Sequence, residues 1–312
     1  MSSSTVPSIH EATRQSLEAL PKELPPVWLY DARGSRLYEE ITRLPDYYLP
    51  RREADILRVR SALIAKRTRA QTLVELGSGG ARNTRLLLDA LGGTLERFVP
   101  VDVSERMLWT SAQEIQFAYP RIAVEPIVGD FERDLGRLPT VGPRLIAFLG
   151  STIGNLYPEQ RAAFLSSLAD ALGEDDALLL GIDLVKDVAR LQAGYDDREG
   201  VTEAFVRNAL TVVNRELDAT FAQRLFAYEP LWDEANEWMD IGLRAREPHS
   251  VSVRRLDLEV AFRKGERLRV EISSKFRRPA FERELEDAGF RADAWWTDRA
   301  GDFAVVLART DG

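Results

Sequence analysis

Between Thr72 and Val185 the chain repeats one pattern five times: a short apolar run closes on Gly or Asp and gives way to a helical period. The runs are TLVELGSGG, RFVPVDVS, AVEPIVGD, RLIAFLGSTIGN and ALLLGIDLV. Their length and punctuation predict strands, and strands alternating with helices predict a doubly wound α/β sheet. One intervening helix is delimited by Pro158 near its first turn and Gly173 just past its end.

The flanks read differently. An amphipathic helix is predicted from His10 to Leu20, stopped by PKELPPVW, where the prolines remove donors and clash with a continuing helix. Helical periods follow at Ser35 to Leu44 and at Arg51 to Lys66, the latter with Ile56, Leu57, Leu63 and Ile64 as its apolar positions. After Lys186 a helix from Thr202 to Leu217 leads into alternating runs, LFAYEPLW, WMDIGLRAR, SVSVRRLDLEVAF and LRVEISSKF, which predict an inserted antiparallel α+β unit. A helix, AFERELEDAGF, and two strands around DAWWTD and DFAVVLAR then return to the first sheet as an edge hairpin.

Composition narrows the chemistry. A chain of 312 residues, 45% of them apolar, can bury two domain cores. It has no cysteine, which excludes disulfides, thiolate catalysis and every Cys-containing metal site, and its two histidines leave little for a His-based one. Catalysis without a metal is the expectation. His10 and His249 lack the partners of a triad and read as structural or solvent-facing. The net charge of −8 disfavours attraction to nucleic-acid phosphates, and RRL, RKGERLR and FRRP read as solvated strand faces. No run of about 18 apolar residues suggests a membrane span, and the first residues lack the charge and apolar order of an export signal. The expectation is a cytoplasmic monomer acting on a small molecule.

The strand ends carry the candidate cofactor site. Gly77 and Gly79 let backbone approach a ligand where a Cβ would collide, and the third position of a dinucleotide fingerprint is Arg82. Asp102, roughly 25 residues after Gly77, stands where nucleotide-binding α/β domains place a ribose-binding carboxylate. Asp130 offers an acceptor for an adenine amino group and Phe131 an aromatic face, while Gly150 to Asn155 closes the fourth strand. Singly, each has a plainer reading as turn or cap chemistry. Together, in order on one sheet edge, they favour a nucleoside cofactor, with a dinucleotide-dependent dehydrogenase as the rival.

The ordered set WLYDARGSRLYEEITRLPDYY, LVELGSGG, FLGSTIGNL, GIDLVKD, Tyr195-Asp196-Asp197, VVNREL, EISSKF and AWWTD resembles the histidine-specific N-α-methyltransferases that form hercynine, the betaine of ergothioneine synthesis. The likeness runs from about Leu24 to the end of the chain. It implies a Rossmann-like class I methyltransferase sheet (52–187 and 276–312) binding S-adenosylmethionine, and an inserted substrate-binding domain (1–51 and 188–275). Carried over by motif, Gly77, Gly79, Asp102, Asp130 and Phe131 hold the cofactor, and Tyr30 stands by the amine. Asn155 and Tyr195 bind the substrate carboxylate near Gly150, and Tyr47, Ile241, Glu271 and Ser273 surround the imidazole. The family pattern has Lys where this chain has Asn83 and Met where it has Ile241.

Glu271 and Ser273 stand two apart in an alternating run, so both face one side of a strand. A carboxylate that accepts and a hydroxyl that donates match the N–H and the bare nitrogen of a neutral imidazole. Periodicity alone allows a solvated face there, amphipathic packing at Tyr30 and Tyr47, and a helix cap at Asn155. Methylation of another amino acid such as tryptophan, and a non-catalytic sensor on the same fold, are the alternatives.

Overall fold

The computed structural model describes residues 8–310. In chain order these form α1 (Ile9–Glu18), β1 (Lys22–Glu23), α2 (Ala32–Ile41), α3 (Leu49–Thr68), β2 (Thr72–Leu76), α4 (Thr84–Leu91), β3 (Arg97–Asp102), α5 (Glu105–Ala118), β4 (Ala123–Val124), β5 (Ile127–Val128), β6 (Arg144–Phe148), α6 (Pro158–Ala171) and β7 (Ala177–Asp183). Then come α7 (Val188–Ala193), α8 (Val201–Leu217), β8 (Phe226–Asp233), β9 (Trp238–Ala245), β10 (His249–Val253), β11 (Leu258–Phe262), β12 (Arg267–Ser274), α9 (Arg278–Asp287), β13 (Phe290–Thr297) and β14 (Phe303–Thr310). No helix among the described residues is long and apolar enough to cross a membrane.

Two compact units result: residues 8–46, 188–234 and 239–272 in one, and 47–187, 235–238 and 273–310 in the other. Residues 47–51, 235–238 and 273–275, assigned from sequence to the substrate-binding part, therefore belong to the sheet-bearing unit. They carry Tyr47 and Ser273 with them. The reason for the first is local: Leu49 begins α3, so the chain is already in that unit's helix two residues after Tyr47.

The sheet-bearing unit is built on the order β13-β14-β7-β6-β2-β3-β4, with β5 also pairing β3. From β7 to β5 the pairs are parallel, while β14 runs antiparallel to β7, and β13 to β14. The terminal hairpin thus occupies the edge expected of it. All residues of β2, β6 and β7 are buried, as two covered faces require. The core joins Val74, Val99, Ile146, Phe148 and Leu180 to Phe164 and Leu165 of α6 and Phe281 and Leu285 of α9. The run AVEPIVGD is two short strands, since Glu125 and Pro126 separate β4 from β5 and proline has no N–H for the ladder.

In the other unit β1, β12, β9 and β8 form a sheet in that order. It is not purely antiparallel: β1 pairs parallel with β12, which a distant segment can do because no tight hairpin joins them. The run SVSVRRLDLEVAF folds back on itself, with β10 and β11 antiparallel about Arg254–Leu256 and Asp257 in the left-handed region at φ 47°. Arg267 and Arg269 do not lie on a solvated face. Arg269 bonds Asp240 at 2.6 Å, and Arg267 bonds Asp240 at 2.9 Å and Glu229 at 2.5 Å, because Asp240 stands on the adjacent strand β9 and Glu229 on β8 beyond it. Asp31 caps α2, accepting from the N–H groups of Arg33 and Gly34, and also takes the Asn208 amide of α8 at 2.7 Å.

One buried ion pair anchors the start of β6. Asp176 accepts from the Arg144 guanidinium at 2.5 and 2.9 Å and from the Arg144 N–H at 2.7 Å, and both side chains are buried. Arg144→Met would strand the carboxylate. The expected loss is about 3–5 kcal/mol of stability. Arg144→Met with Asp176→Asn should recover much of it, as read from urea unfolding midpoints.

Candidate active site

The parallel strands deliver their C-terminal ends to one edge, and the chain reverses its winding between β2 and β6, the place where such sheets bind ligands. Gly77 follows β2 at φ +67°, and its N–H donates to the Val101 carbonyl at 2.9 Å, so the turn is tied to the end of β3. Gly79, at φ +47°, donates to Asp102 Oδ2 at 2.8 Å. Asp102 Oδ1 accepts from the Ser104 N–H at 2.8 Å. Burial raises the Asp102 pKa above its ordinary value, against the opposing effect of these backbone donors. A carboxylate offers about four lone-pair sites, more than its backbone donors Gly79, Ser104 and Val103 use, which suits an acceptor role toward a further hydroxyl.

A Cβ at Gly77 would stand 3.9 Å from Phe131 and from Thr152, so the turns after β2, β5 and β6 converge there. A Cβ at Gly79 would meet nothing within 4 Å, so this turn opens onto free space. Phe131 packs on Phe148 and Phe164, with centroids 4.9 and 5.7 Å apart. Asp130 also organises its own loop: Oδ1 accepts from the Glu132 N–H at 3.0 Å, and Arg133 lies 3.5 Å from Oδ2. The five expected cofactor residues are therefore on one edge.

After β6 the backbone is left-handed at both Gly150 (φ +73°) and Ser151 (φ 61°) and then makes a short turn, Thr152–Asn155. Asn155 closes that turn and is not the cap of α6, which begins at Pro158 behind Tyr157. A Cβ at Gly154 would stand 2.9 Å from the Ser274 carbonyl, so the end of β12 lies against this turn. That places Ser273 in the same unit as Asn155 and Gly150. Ser273 is 4% exposed and its Oγ accepts from Lys275 Nζ at 2.8 Å. Tyr47 is buried in this unit too.

The other expected residues sit in the other unit. Tyr30 donates to Glu271 Oε1 at 3.5 Å and packs edge-on against Phe205. Ile241 and Tyr195 are buried. The Tyr195 carbonyl accepts from the Tyr228 hydroxyl at 2.5 Å, and burial, with Asp196 and Asp197 nearby, raises the Tyr228 pKa well above the ordinary phenol value. Tyr228 thus stays a donor. Asp197 caps α8 through the N–H groups of Val201 and Thr202; burial opposes ionisation, but these bonds outweigh it and its pKa is lowered. His10 is exposed, while His249 is half-buried and stacks on Phe262.

Sequence reading missed the buried polar groups beneath the edge. Glu53, 2% exposed, accepts from the Gly150 N–H at 2.7 Å and from Asn83 at 2.8 Å. Gly181 makes room for it: a Cβ there would stand 2.1 Å from Glu53 Oε1. Glu75 accepts from Ser78 at 2.9 Å and from Thr84. The available signal was an acid on the apolar stripe of α3, in line with Ile56, Leu57 and Ile64.

The chain matches the model of the histidine-specific, S-adenosylmethionine-dependent methyltransferases over residues 9–310. It belongs to that family. It is 51% identical to the histidine N-α-methyltransferase of Mycolicibacterium smegmatis, covering 98% of this chain and 96% of that one. Identity to the enzyme of the same name from Mycobacterium tuberculosis is 51%, over 94% and 92% of the two chains. Ergothioneine biosynthesis protein 1 of Schizosaccharomyces pombe is 36% identical over 72% of this chain and 30% of its own length. As a member of the family, the chain is an S-adenosylmethionine-dependent methyltransferase.

Burial raises the pKa of Glu53 to about 7 and that of Glu75 to about 8, from an ordinary value of 4.5. Between those limits the folded chain holds protons that the unfolded chain releases. Stability from this source is full below the ordinary value and is lost as pH rises through 7 and 8. One such group contributes a slope of about 1.4 kcal/mol per pH unit within its window. Glu75→Gln should flatten the fall, since the Ser78 and Thr84 hydroxyls can turn to accept from an amide; unfolding midpoints from pH 5 to 9 are the check.

Proposed function

We propose that this chain methylates the α-amino nitrogen of L-histidine, three times in succession, giving the betaine hercynine for ergothioneine synthesis. The observation that carries the reading is on β12, where alternation puts Glu271, half-buried, and Ser273, buried, on one face. An acceptor and a donor so spaced complement the two nitrogens of a neutral imidazole.

Bound S-adenosylmethionine supplies a sulfonium whose methyl carbon is open to in-line attack. In this proposal Gly77 and Gly79 let the backbone pass close to it, Asp102 accepts from the ribose hydroxyls, and Asp130 and Phe131 hold the adenine. Gly150, Asn155 and Tyr195 bind the substrate carboxylate through neutral donors, which leave the charge on the amine's approach unchanged. Tyr47 and Ile241 line the imidazole's surroundings. Tyr30 stands by the amine and arranges the path by which the ammonium loses its proton to water before the nitrogen attacks, and Glu271, in contact with its hydroxyl, keeps the phenol oriented. Losing that proton is a modest cost near neutrality, so positioning carries most of the rate. Residues 52–187 and 276–312 would hold the cofactor, and the inserted segments would read the amino acid.

The test is to incubate the protein with S-adenosylmethionine and each of the twenty amino acids and to follow products by mass spectrometry. Trimethylated histidine is expected. A product that stops at one or two methyl groups, or forms only on tryptophan, would refute the assignment.

Asp102→Asn removes the charge that strengthens the ribose bonds while keeping one acceptor oxygen. A charge-assisted bond contributes about 1.5 to 3 kcal/mol, so cofactor affinity should fall at least about tenfold by calorimetric titration. Affinity should also fall for the unmodified protein as acid protonates Asp102, and at a higher pH than for an ordinary aspartate.

A further inference from the structure

At the end of β7, Asp183 is fully buried and takes three donors besides its backbone contacts. Tyr48 donates to Oδ2 at 2.8 Å, Lys275 Nζ lies 3.0 Å from the same oxygen, and Lys186 bonds Oδ1. Lys186 also donates to the Tyr48 hydroxyl at 2.7 Å. Lys275 is a second cation at the same carboxylate, with a wholly buried side chain, and a charge so buried is costly unless it is paired and hydrogen-bonded. The pK of Lys186 reflects the crowding: burial lowers it to about 8, with the charge of Lys275 adding to the effect.

Lys275 also donates to Ser273 Oγ at 2.8 Å. An ammonium has three donors and no acceptor, so the oxygen of Ser273 must accept on that side and its own proton is directed away from Lys275. We infer that Lys275 is a positioning residue which fixes the Ser273 hydroxyl as a hydrogen-bond donor and so makes the protein read the bare nitrogen of the substrate ring. This rests on the assignment of Ser273 to the imidazole. Asp183 holds Lys275 in place, and its own N–H donates to Ser151 Oγ at 2.9 Å, so the same aspartate ties the turn after β6 to the hydroxyl that reads the ring. A serine without the lysine could swing its proton toward another acceptor and would no longer distinguish a nitrogen lone pair from a C–H.

The test compares histidine with a pyrrolylalanine in which the acceptor nitrogen is replaced by C–H. The ratio of kcat/KM for the two is measured for the wild type, Lys275→Met, Ser273→Ala and the double variant. The expected wild-type ratio is at least about a hundredfold, since sites built on buried hydrogen bonds reject analogues that lack them. Lys275→Met should cut it at least tenfold, mainly through KM for histidine, and the double variant should cut it no further than Ser273→Ala alone. Asp183 keeps Lys186 and Tyr48 in Lys275→Met, and unchanged cofactor affinity by calorimetry reports the intact fold. Lys275→Gln retains an N–H donor and should hold the ratio within about threefold of the wild type. A Lys275→Met ratio within twofold of the wild type, or losses that add in the double variant, overturns the inference while leaving histidine as substrate. Wild-type protein that methylates no histidine overturns both.

Discussion

The parallel pairing of β2 with β3 on one side and β6 on the other decides where the chemistry can be. Parallel strands all end on the same edge, so the turns after β2, β3, β5 and β6 face one region whatever their residues. A doubly wound order adds the reversal between β2 and β6 that keeps the returning chain off that region. The left-handed backbone at Gly77, Gly79, Gly150 and Ser151 follows from this, because each strand must turn sharply at an edge that stays open. Close approach of main chain to a ligand is then a by-product of how the sheet is wound.

Much of the fold was legible because it rests on local signals. Strand runs bounded by Gly or Asp, Pro158 at the start of α6 and the alternation of β12 each place an element without knowledge of its neighbours. The errors lie where tertiary pairing decides. Nothing in Lys22-Glu23 says that two residues will extend a sheet in parallel with β12, some 240 positions away. The run from Ser250 to Phe262 alternates well enough to read as one strand, and only the left-handed Asp257 turns it into a hairpin. Arg267 and Arg269 read as solvated until Asp240 and Glu229 are seen on β9 and β8.

The candidate site divides in the same way. Glycines at strand ends and acids at strand ends announce themselves by position, so Gly77, Gly79 and Asp102 were readable, and the Gly79–Asp102 bond joins two of them directly. Residues assigned through the family likeness alone, such as Tyr30, Tyr195 and Ile241, carry no local signature. The groups that sequence reading passed over, Glu53, Asp183, Lys275 and Tyr228, are buried polar residues whose partners lie far away in the chain. A buried charge is visible in a sequence only as a misfit in an apolar stripe, and such a misfit does not name its partner.

Asn83 shows how an uncharged side chain leaves the state of a buried acid to burial. The amide donates to Glu53 Oε2 and to the Pro50 carbonyl, tying the start of α4 to the start of α3. A lysine in its place would set an ammonium beside Glu53 and hold that carboxyl ionised. With the amide, no cation offsets burial, the Glu53 pKa rises to about 7, and the acid takes up a proton instead. Near pH 7 the carboxyl beside the amide is therefore about half protonated, whereas a lysine–glutamate pair would be a neutral ion pair. The Gly150 N–H has an acceptor on Glu53 Oε1 in both, because the second oxygen of a protonated carboxyl still accepts. The turn after β6 therefore keeps its anchor with no cation at position 83, and what the amide sets is the pH at which Glu53 gives up its proton.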